Sequence, residues 1–254
     1  MRREIYEKII NKKEFSQLPQ KDVEKAFQNF EKRQVSDEEK IRLTRDLLRK
    51  IFSAFISKKI LSLKNKDPEW ILRKHISTRE RLPYYSQLYS RLLKNFKRAT
   101  IFDLGAGVNG FSYGFFKRDV TYIGVEGVGQ LVRLMNHYFE KEVLKARAIH
   151  MSLFELEKLK EFIKKSKKPK IIFLFKTLDS LEMLERDYSK KFLKEITHLV
   201  TKVVVSFATR SLIKKTKFKV KRTWILNFLK ENFKVLEDFE LGGERYIVFE
   251  KNNL

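Results

Sequence analysis

Asp103-Leu104-Gly105-Ala106-Gly107-Val108-Asn109-Gly110 is the stretch around which the rest of this sequence is arranged. The apolar run 99–102 precedes it and the segment 111–116 follows it, which is the order of a strand, a glycine turn and a helix. Glycine lets the backbone approach a ligand closely, and the N-terminus of a helix offers free N–H groups and the positive end of a dipole. The stretch therefore predicts a cradle for a nucleotide-like cofactor.

The spacing Gly105-x-Gly107-x-x-Gly110 fits two classes of cofactor. It matches the dinucleotide fingerprint, and Glu126 follows the glycines by about 20 residues, where an acid would meet a ribose. NAD and S-adenosylmethionine both remain open on this spacing alone. Asp103 before the first glycine, a hairpin at the end of the sheet and a separate segment before the motif favour the methyl donor.

The sequence pattern changes near residue 98. Up to residue 95, apolar residues recur at helical spacing, Pro19 separates two helices, and Ser36 followed by acids begins a third. Later, short apolar runs alternate with helical segments, which is typical of a parallel sheet covered by helices. We predict an N-terminal all-helical domain, 1–95, and an α/β cofactor-binding domain, 96–254, with a doubly wound sheet. Its strands are predicted at 100–104, 121–125, 146–151, 170–175, 202–207, 233–239 and 245–250, and its helices at 111–117, 129–140, 156–165, 185–199 and 223–232.

Composition points to a polyanionic partner. The 254 residues carry 56 Lys+Arg and 32 Asp+Glu, a net charge of +24 that both predicted domains share. A lysine-rich proteome is the alternative explanation, but such an excess over acids favours nucleic acid. The absence of cysteine excludes disulfides and a cysteine nucleophile, and the four histidines show no metal-ligand spacing. No apolar run or leader suggests a membrane span or secretion, so we expect a cytoplasmic monomer without a metal.

Four motifs, in this order, resemble the aminoglycoside-resistance 16S rRNA (guanine-N7) methyltransferases. They are HISTRERL at 75–82, DLGAGVNG at 103–110, FLFKTLDSLE at 173–182 and VSFATRSL at 205–212. The resemblance implies a class I methyltransferase with a Rossmann-like, seven-stranded sheet and S-adenosyl-L-methionine as its cofactor. It also implies that the substrate is a guanine near the decoding site, in small-subunit rRNA or in the assembled small subunit.

Site residues carry over from the resemblance position by position. Arg79 and Arg81, which the sequence does not distinguish, would pair with the carboxylate of the donor, and Glu126 would bind the ribose hydroxyls. A capping box between Ser77 and Glu80 is the structural alternative for this motif. The expected cofactor-binding residues are His75, Thr78, Arg79, Arg81, Asp103, Gly105, Ala106, Gly107, Glu126, Ser152, Leu153 and Phe175.

The chain also departs from the resembled family. Gly110, Asp179 and Ala208 stand where that family has proline. Three missing prolines at the rim of the pocket would alter the rigidity of its loops and with it the choice of target base.

The residues permit some acceptor atoms and argue against others. Pyrimidine carbon-5 needs a cysteine, and exocyclic amines are usually served by a proline-containing motif that is missing after the fourth strand. A ribose 2′-hydroxyl needs a base, and Lys176, Asp179 and Glu182 could imitate part of such a set. Guanine N7 needs no base, only positioning, which we assign to Lys176 and Arg210.

Two further groups of residues are predicted to contact RNA. Phe111, Tyr113, Phe207 and Arg210 are candidates for stacking on a flipped base, although the aromatic residues could equally be core. A basic run after the fifth strand would contact phosphates: Arg210, Lys214, Lys215, Lys217, Lys219, Lys221 and Arg222. Methylation of another RNA site, an inactive RNA-binding ribosome factor and an NAD-dependent oxidoreductase remain the alternatives.

Overall fold

A computed structural model describes residues 1–53, 67–209 and 222–252. The segment before the sheet is helical, as predicted: α1 (Arg3–Ile10), α2 (Gln20–Glu31), α3 (Asp37–Leu48), α4 (Pro68–Lys74), α5 (Ile76–Arg81) and α6 (Tyr85–Leu92). A π-helical turn, Arg49–Ser53, follows α3, and a 3-10 turn, Leu82–Tyr84, joins α5 to α6. Polar caps begin two of these helices, since Ser36 Oγ accepts from the Glu39 N–H at 3.2 Å and Asp67 from the Trp70 N–H at 2.8 Å.

The second part of the chain forms a seven-stranded sheet in the order β3-β2-β1-β4-β5-β7-β6. Its strands are β1 (Arg98–Leu104), β2 (Asp119–Glu126), β3 (Ala146–His150), β4 (Lys170–Phe175), β5 (Lys202–Ala208), β6 (Phe233–Leu241) and β7 (Glu244–Lys251). Strands β1 to β5 are parallel, and β7 runs antiparallel between β5 and β6. The predicted fold class, with its terminal hairpin, is confirmed.

In the described part of this region, the helices that accompany the sheet are α7 (Gly129–Lys141), α8 (Leu156–Lys164), α9 (Leu178–Leu184), α10 (Tyr188–Thr197) and α11 (Thr223–Asn232). The segment predicted as a helix at 111–117 is a 3-10 helix, Asn109–Phe115, which contains two glycines. The helix predicted at 185–199 is shorter, and sequence analysis missed α9 before it. The break occurs because Glu182 accepts from the Asp187 and Ser189 N–H groups, at 2.7 and 2.8 Å, and so starts a new helix.

Burial follows the layered architecture. Strand β4 is buried along its whole length, whereas the edge strand β6 alternates between more and less exposed residues. Buried apolar side chains form a continuous core from Ile5 in α1 to Phe249 in β7, so the helical segment packs on the sheet. The domain boundary at residue 95 falls between α6 and β1 and stays a prediction. Within residues 1–53, 67–209 and 222–252, no helix combines the length and apolar character needed to cross a membrane.

The sheet order fixes where a ligand can bind. The connections run outward from β1 in one direction and from β4 in the other, so the two neighbouring strands form a topological switch point. Ligands of open α/β sheets bind in the crevice at the carboxyl ends of such strands. The glycine turn follows β1 directly and lies at this crevice.

Candidate active site

A cleft with an empty volume of about 980 Å³, including its open mouth, lies at the switch point. The glycine turn forms its floor. Most of the predicted cofactor residues line this cleft: His75, Thr78, Arg81, Asp103, Gly105, Ala106, Gly107, Glu126, Leu153 and Phe175. Ser152 and Arg79 are the exceptions, since Ser152 is buried behind the wall and Arg79 is exposed outside the cleft.

Two glycines of the floor adopt a conformation that disfavours other residues. Gly105 has φ +76° and Gly107 has φ +56°, both in the left-handed region. A Cβ atom at Gly105 would lie 2.8 Å from Cγ2 and Oγ1 of Thr177, and one at Gly107 would lie 3.3 Å from Nε2 of His75. The floor is therefore a cradle whose shape requires glycine, with no side chain, at these two positions.

Glu126, at the end of β2, closes the middle of the cleft. Its two carboxylate oxygens accept from the Gly107 and Val128 N–H groups, each at 2.8 Å. Burial raises the pKa of Glu126, and these backbone donors oppose the rise. Each oxygen has a further lone pair, so the carboxylate can accept hydrogen bonds from a pair of ribose hydroxyls.

One end of the cleft is strongly charged. Arg81 is buried and donates to Glu244 at 2.9 and 3.2 Å, and Lys176 Nζ lies 2.8 Å from Glu80 and 3.4 Å from Glu244. Burial opposes the charge on Arg81, but Glu244 raises the pKa of the guanidinium well above its usual value. Burial likewise opposes the charge on Glu244, and Arg81 and Lys176 lower the pKa of this carboxyl. We call this set, Glu80, Arg81, Lys176 and Glu244, the charged end.

The structure distinguishes Arg79 from Arg81, which the sequence alone did not. Arg81 lines the cleft, whereas Arg79 is exposed and is not among the lining residues, so the role of Arg79 in cofactor binding stays a prediction. The capping-box alternative is wrong. His75 is the N-cap residue of α5, Ser77 lies inside that helix, and Glu80 pairs with Lys176.

His75 is a neutral side chain at the wall of the cleft. Burial lowers its pKa to about 3, and the positive charges of Arg81 and Lys176 add to the effect. The imidazole is therefore uncharged at neutral pH and a poor proton acceptor.

A buried polar network supports the glycine turn, and sequence analysis missed most of it. Asn109 donates to Asp103 at 2.6 Å and accepts from Arg81 at 3.1 Å and from the Tyr85 hydroxyl at 2.6 Å. Tyr122 also donates to Asp103, at 2.7 Å, and burial raises the pKa of this aspartate. Asn109 stands inside the glycine stretch, so its position was the available signal. No sequence signal pointed to Glu244 in β7, because only the folded sheet brings this residue next to Arg81.

Several predicted residues lie away from the cleft. Phe111 stacks on Tyr138 with ring centroids 4.8 Å apart, and Phe207 is buried, so neither can stack on a base there. Tyr113 donates to the Val120 carbonyl oxygen at 2.9 Å and packs on the core. Gly110 is likewise not among the residues that line the cleft, and a Cβ there would meet Phe139 at 2.6 Å.

The alternative base set does not assemble. Asp179 pairs with Arg222 at 2.8 Å, Glu182 caps α10, and only Lys176 lines the cleft. Arg222 also donates to the Ala208 carbonyl oxygen at 2.9 Å, so this guanidinium has internal partners rather than an outward face. The remaining predicted RNA contacts lie outside the described residues: Arg210, Lys214, Lys215, Lys217, Lys219 and Lys221. In the described parts of the chain, no three His, Asp or Glu side chains are grouped to hold a metal ion.

The sheet order, the glycine turn after β1 and the acid at the end of β2 together define a class I methyltransferase, a class whose methyl donor is S-adenosyl-L-methionine. More specifically, the chain belongs to the ribosomal RNA methyltransferase (FmrO) family, whose family model matches residues 31–228. This membership confirms the prediction of an rRNA methyltransferase, and the NAD-dependent oxidoreductase alternative is wrong.

Solved structures share the fold over the whole chain. The 16S rRNA methyltransferase RmtF, in complex with S-adenosyl-L-homocysteine, is 20% identical with a TM-score of 0.79, covering 99% of this chain and 100% of that one. The 16S rRNA methylase RmtB is 17% identical (TM-score 0.77, 98% of each chain). An rRNA methylase from Escherichia coli is 18% identical (TM-score 0.77, 98% and 99%). No curated protein gives a significant match.

Proposed function

We propose that this protein transfers a methyl group from S-adenosyl-L-methionine to N7 of a guanine near the decoding site of 16S rRNA and so confers aminoglycoside resistance. The substrate is small-subunit rRNA or the assembled subunit. The observation that carries the proposal is the charged end of the cleft, where Lys176 is held between Glu80 and Glu244 and His75 has a pKa of about 3. The imidazole of His75 is a poor proton acceptor, Lys176 is engaged in ion pairs with two carboxylates, and N7 of guanine has no proton to remove.

The cleft has the partners that the methyl donor requires. Gly105 and Gly107 bring the backbone close to the ligand, and Glu126 accepts from the ribose hydroxyls. Arg81 has five N–H donors, and its contacts with Glu244, Asn109 and Tyr246 leave at least one for a carboxylate. When bound, S-adenosyl-L-methionine supplies an electrophilic methyl group on a sulfonium.

The acceptor follows from proton balance. Transfer to N7 uses the lone pair of the base and moves the positive charge from the sulfonium to the purine, with no proton lost. A ribose hydroxyl must lose its proton, which requires a base within hydrogen-bond reach. Because Asp179 and Glu182 have partners elsewhere, the described residues supply no such set around Lys176. N7 therefore suits the cleft better than a 2′-hydroxyl does.

Lys176 is the positioning residue in this proposal. It has φ +59°, a left-handed conformation that is costly for lysine, and its N–H donates to the carbonyl oxygen and to Oγ of Ser206, each at 3.1 Å. Strained residues of this kind concentrate at functional sites, where the surrounding structure holds them. We assign to it the orientation of the target base, together with Arg210.

The test is transfer of a labelled methyl group to purified small subunits, to naked 16S rRNA and to tRNA. We expect incorporation into a small-subunit substrate and not into tRNA, with aniline cleavage at one guanine after reduction. Gly105→Ala is the matched negative variant. Tight binding to subunits without incorporation would instead support an inactive RNA-binding factor, which is the second candidate in view of the net charge of +24.

A further inference from the structure

The cleft has a second end, on the β3 side of Glu126, that differs from the charged end. Its lining is mostly apolar and comes from distant parts of the chain: Ile51, Phe52, Met151, Leu153 and Phe154, with Gly127 and the acid Asp22. The segments meet closely there, since a Cβ atom at Gly127 would lie 3.1 Å from Phe52 and 3.3 Å from Oδ2 of Asp22. We call this region the apolar end.

Asp22 is the charged side chain that the helical segment contributes to this end. It lies in the first turn of α2 and is only 3% exposed. Its Oδ1 accepts from the Ser152 hydroxyl at 2.7 Å, and Ser152 Oγ accepts in turn from the Phe154 N–H at 3.0 Å. Within the described ranges, no hydrogen bond reaches Oδ2 of Asp22. The carboxylate therefore keeps an acceptor oxygen at the lining of the cleft.

This inference rests on the proposed function, in which the cleft binds the methyl donor. The two ends of that ligand match the two ends of the cleft in chemistry. The charged amino-acid part of the ligand suits the charged end, and Glu126 in the middle suits the ribose. The flat purine is left for the apolar end, where its exocyclic 6-amino group is a hydrogen-bond donor. We infer that Asp22 accepts a hydrogen bond from this amino group, so that helix α2 completes the cofactor site.

This contact would link cofactor binding to the docking of the helical segment. Helix α2 is fixed elsewhere by Asn29, which donates to the Leu184 carbonyl oxygen at 3.0 Å, and by Lys25, which lies 2.5 Å from Glu185. A ligand that touches Asp22 stabilises the docked arrangement, because it binds only when the wall is in place. The purely structural alternative is that Asp22 serves only to hold Ser152.

The experiment compares two ligands by calorimetry: S-adenosylhomocysteine, and S-inosylhomocysteine, which carries a carbonyl oxygen in place of the 6-amino group. We expect the wild-type protein to prefer the adenine ligand at least tenfold. Asp22→Asn, which can donate to that oxygen, should reduce this preference at least tenfold. Glu24→Gln is the control on the same helix, because Glu24 accepts from Gln20 at 2.7 Å, and it should keep the preference.

The variant Ser152→Ala distinguishes a contact between Asp22 and the ligand from a purely structural role of Asp22 in holding Ser152. The inference expects this variant to retain the preference for adenine, whereas a structural role expects it to behave like Asp22→Asn. Equal weakening of both ligands by Asp22→Asn would overturn the inference and leave the proposed function intact. Failure of the wild-type protein to bind either ligand would overturn both.

Discussion

Buried charges are stabilised in different ways at the two ends of the cleft. At the charged end, Arg81 has Glu244, Asn109 and Tyr246 as partners within 3.3 Å. At the apolar end, Ser152 is the hydrogen-bond partner of Asp22 among the described residues. Burial raises the pKa of the Asp22 carboxyl to about 7, and the hydrogen bond from Ser152 opposes the rise. Buried charge at the charged end is thus paired mainly within the protein, whereas the inferred contact would give Asp22 a second partner from the ligand.

The difference also reflects how each end is built. The charged end combines α5 with the ends of β4 and β7, which the sheet holds in place. The apolar end needs α2 and the π-helical turn to dock against the β3–α8 connection. Substitutions at the charged end should therefore affect folding first, and substitutions at the apolar end should affect selectivity first.

The largest expected effect is loss of the buried ion pair at the charged end. Arg81→Met leaves Glu244 buried without its main partner, which should lower the free energy of unfolding by about 3–5 kcal/mol. Urea denaturation measures it, and the double variant with Glu244→Gln should recover part of the loss. Arg73→Met, at an exposed pair with Glu69, is the control and should cost less than about 1 kcal/mol. Equal losses at the two pairs would contradict the claim that burial makes the charged end depend on its ion pair.

The next effect concerns the floor that both ends share. Gly105→Ala forces alanine into a left-handed conformation, at about 1–2 kcal/mol, and drives its Cβ against Thr177. We expect at least a tenfold loss of S-adenosylhomocysteine affinity by calorimetry. Gly114→Ala is the matched control, because a Cβ there meets nothing within 4 Å. Unchanged affinity in the Gly105 variant would show that the cradle is not where the ligand lies.

The apolar end should also be distinguished by its pH dependence, with a change in the free energy of unfolding of about 2–3 kcal/mol between pH 5 and pH 8. With a native pKa of about 7, Asp22 binds a proton between about pH 4 and pH 7 that the unfolded chain does not. Its contribution to stability is thus largest at low pH and is lost as the pH rises to 7. Glu126 and Glu155 favour the raised pKa, and Lys21 opposes it.

Asp22→Asn has no charge to bury, so its stability relative to wild type should increase from pH 5 to pH 8 in the absence of ligand. Thermal unfolding at the two pH values measures this difference. The same offset at both values would mean that the carboxyl of Asp22 ionises normally.

The smallest effect on cofactor binding is expected from the basic run that follows β5 in the sequence. Replacing Lys214, Lys215 and Lys217 with alanine should leave the affinity for S-adenosylhomocysteine unchanged. It should weaken rRNA binding and flatten its salt dependence by up to about 3 units of slope. Filter binding at several salt concentrations measures the slope. An unchanged slope would show that these lysines do not contact RNA phosphates.

The sequence predicted the sheet well and the cleft unevenly. Apolar runs such as 170–175 correspond to whole strands, because buried parallel strands have few polar residues. The glycine turn and Glu126 were predictable, since their chemistry is local. Helix α9 was missed, because its end depends on the hydrogen bond that the Glu182 side chain accepts from the Asp187 N–H.

Contacts between distant segments could not be read from the sequence. The pairs Arg81–Glu244 and Asp22–Ser152 join residues 163 and 130 positions apart, and no periodicity reports such a distance. The sequence also treated Phe111 and Phe207 as possible base contacts, because an aromatic residue beside a motif is read the same way whether it faces the core or the cleft.

The central claim is that the cleft positions a base whose acceptor atom loses no proton. Its most direct measurement is nucleoside mass spectrometry of 16S rRNA after reaction of purified small subunits with the protein and S-adenosyl-L-methionine. The proposal predicts one new 7-methylguanosine per subunit and no other new methylated nucleoside. A 2′-O-methylated nucleoside, or a methyl group on an exocyclic amine, would contradict it.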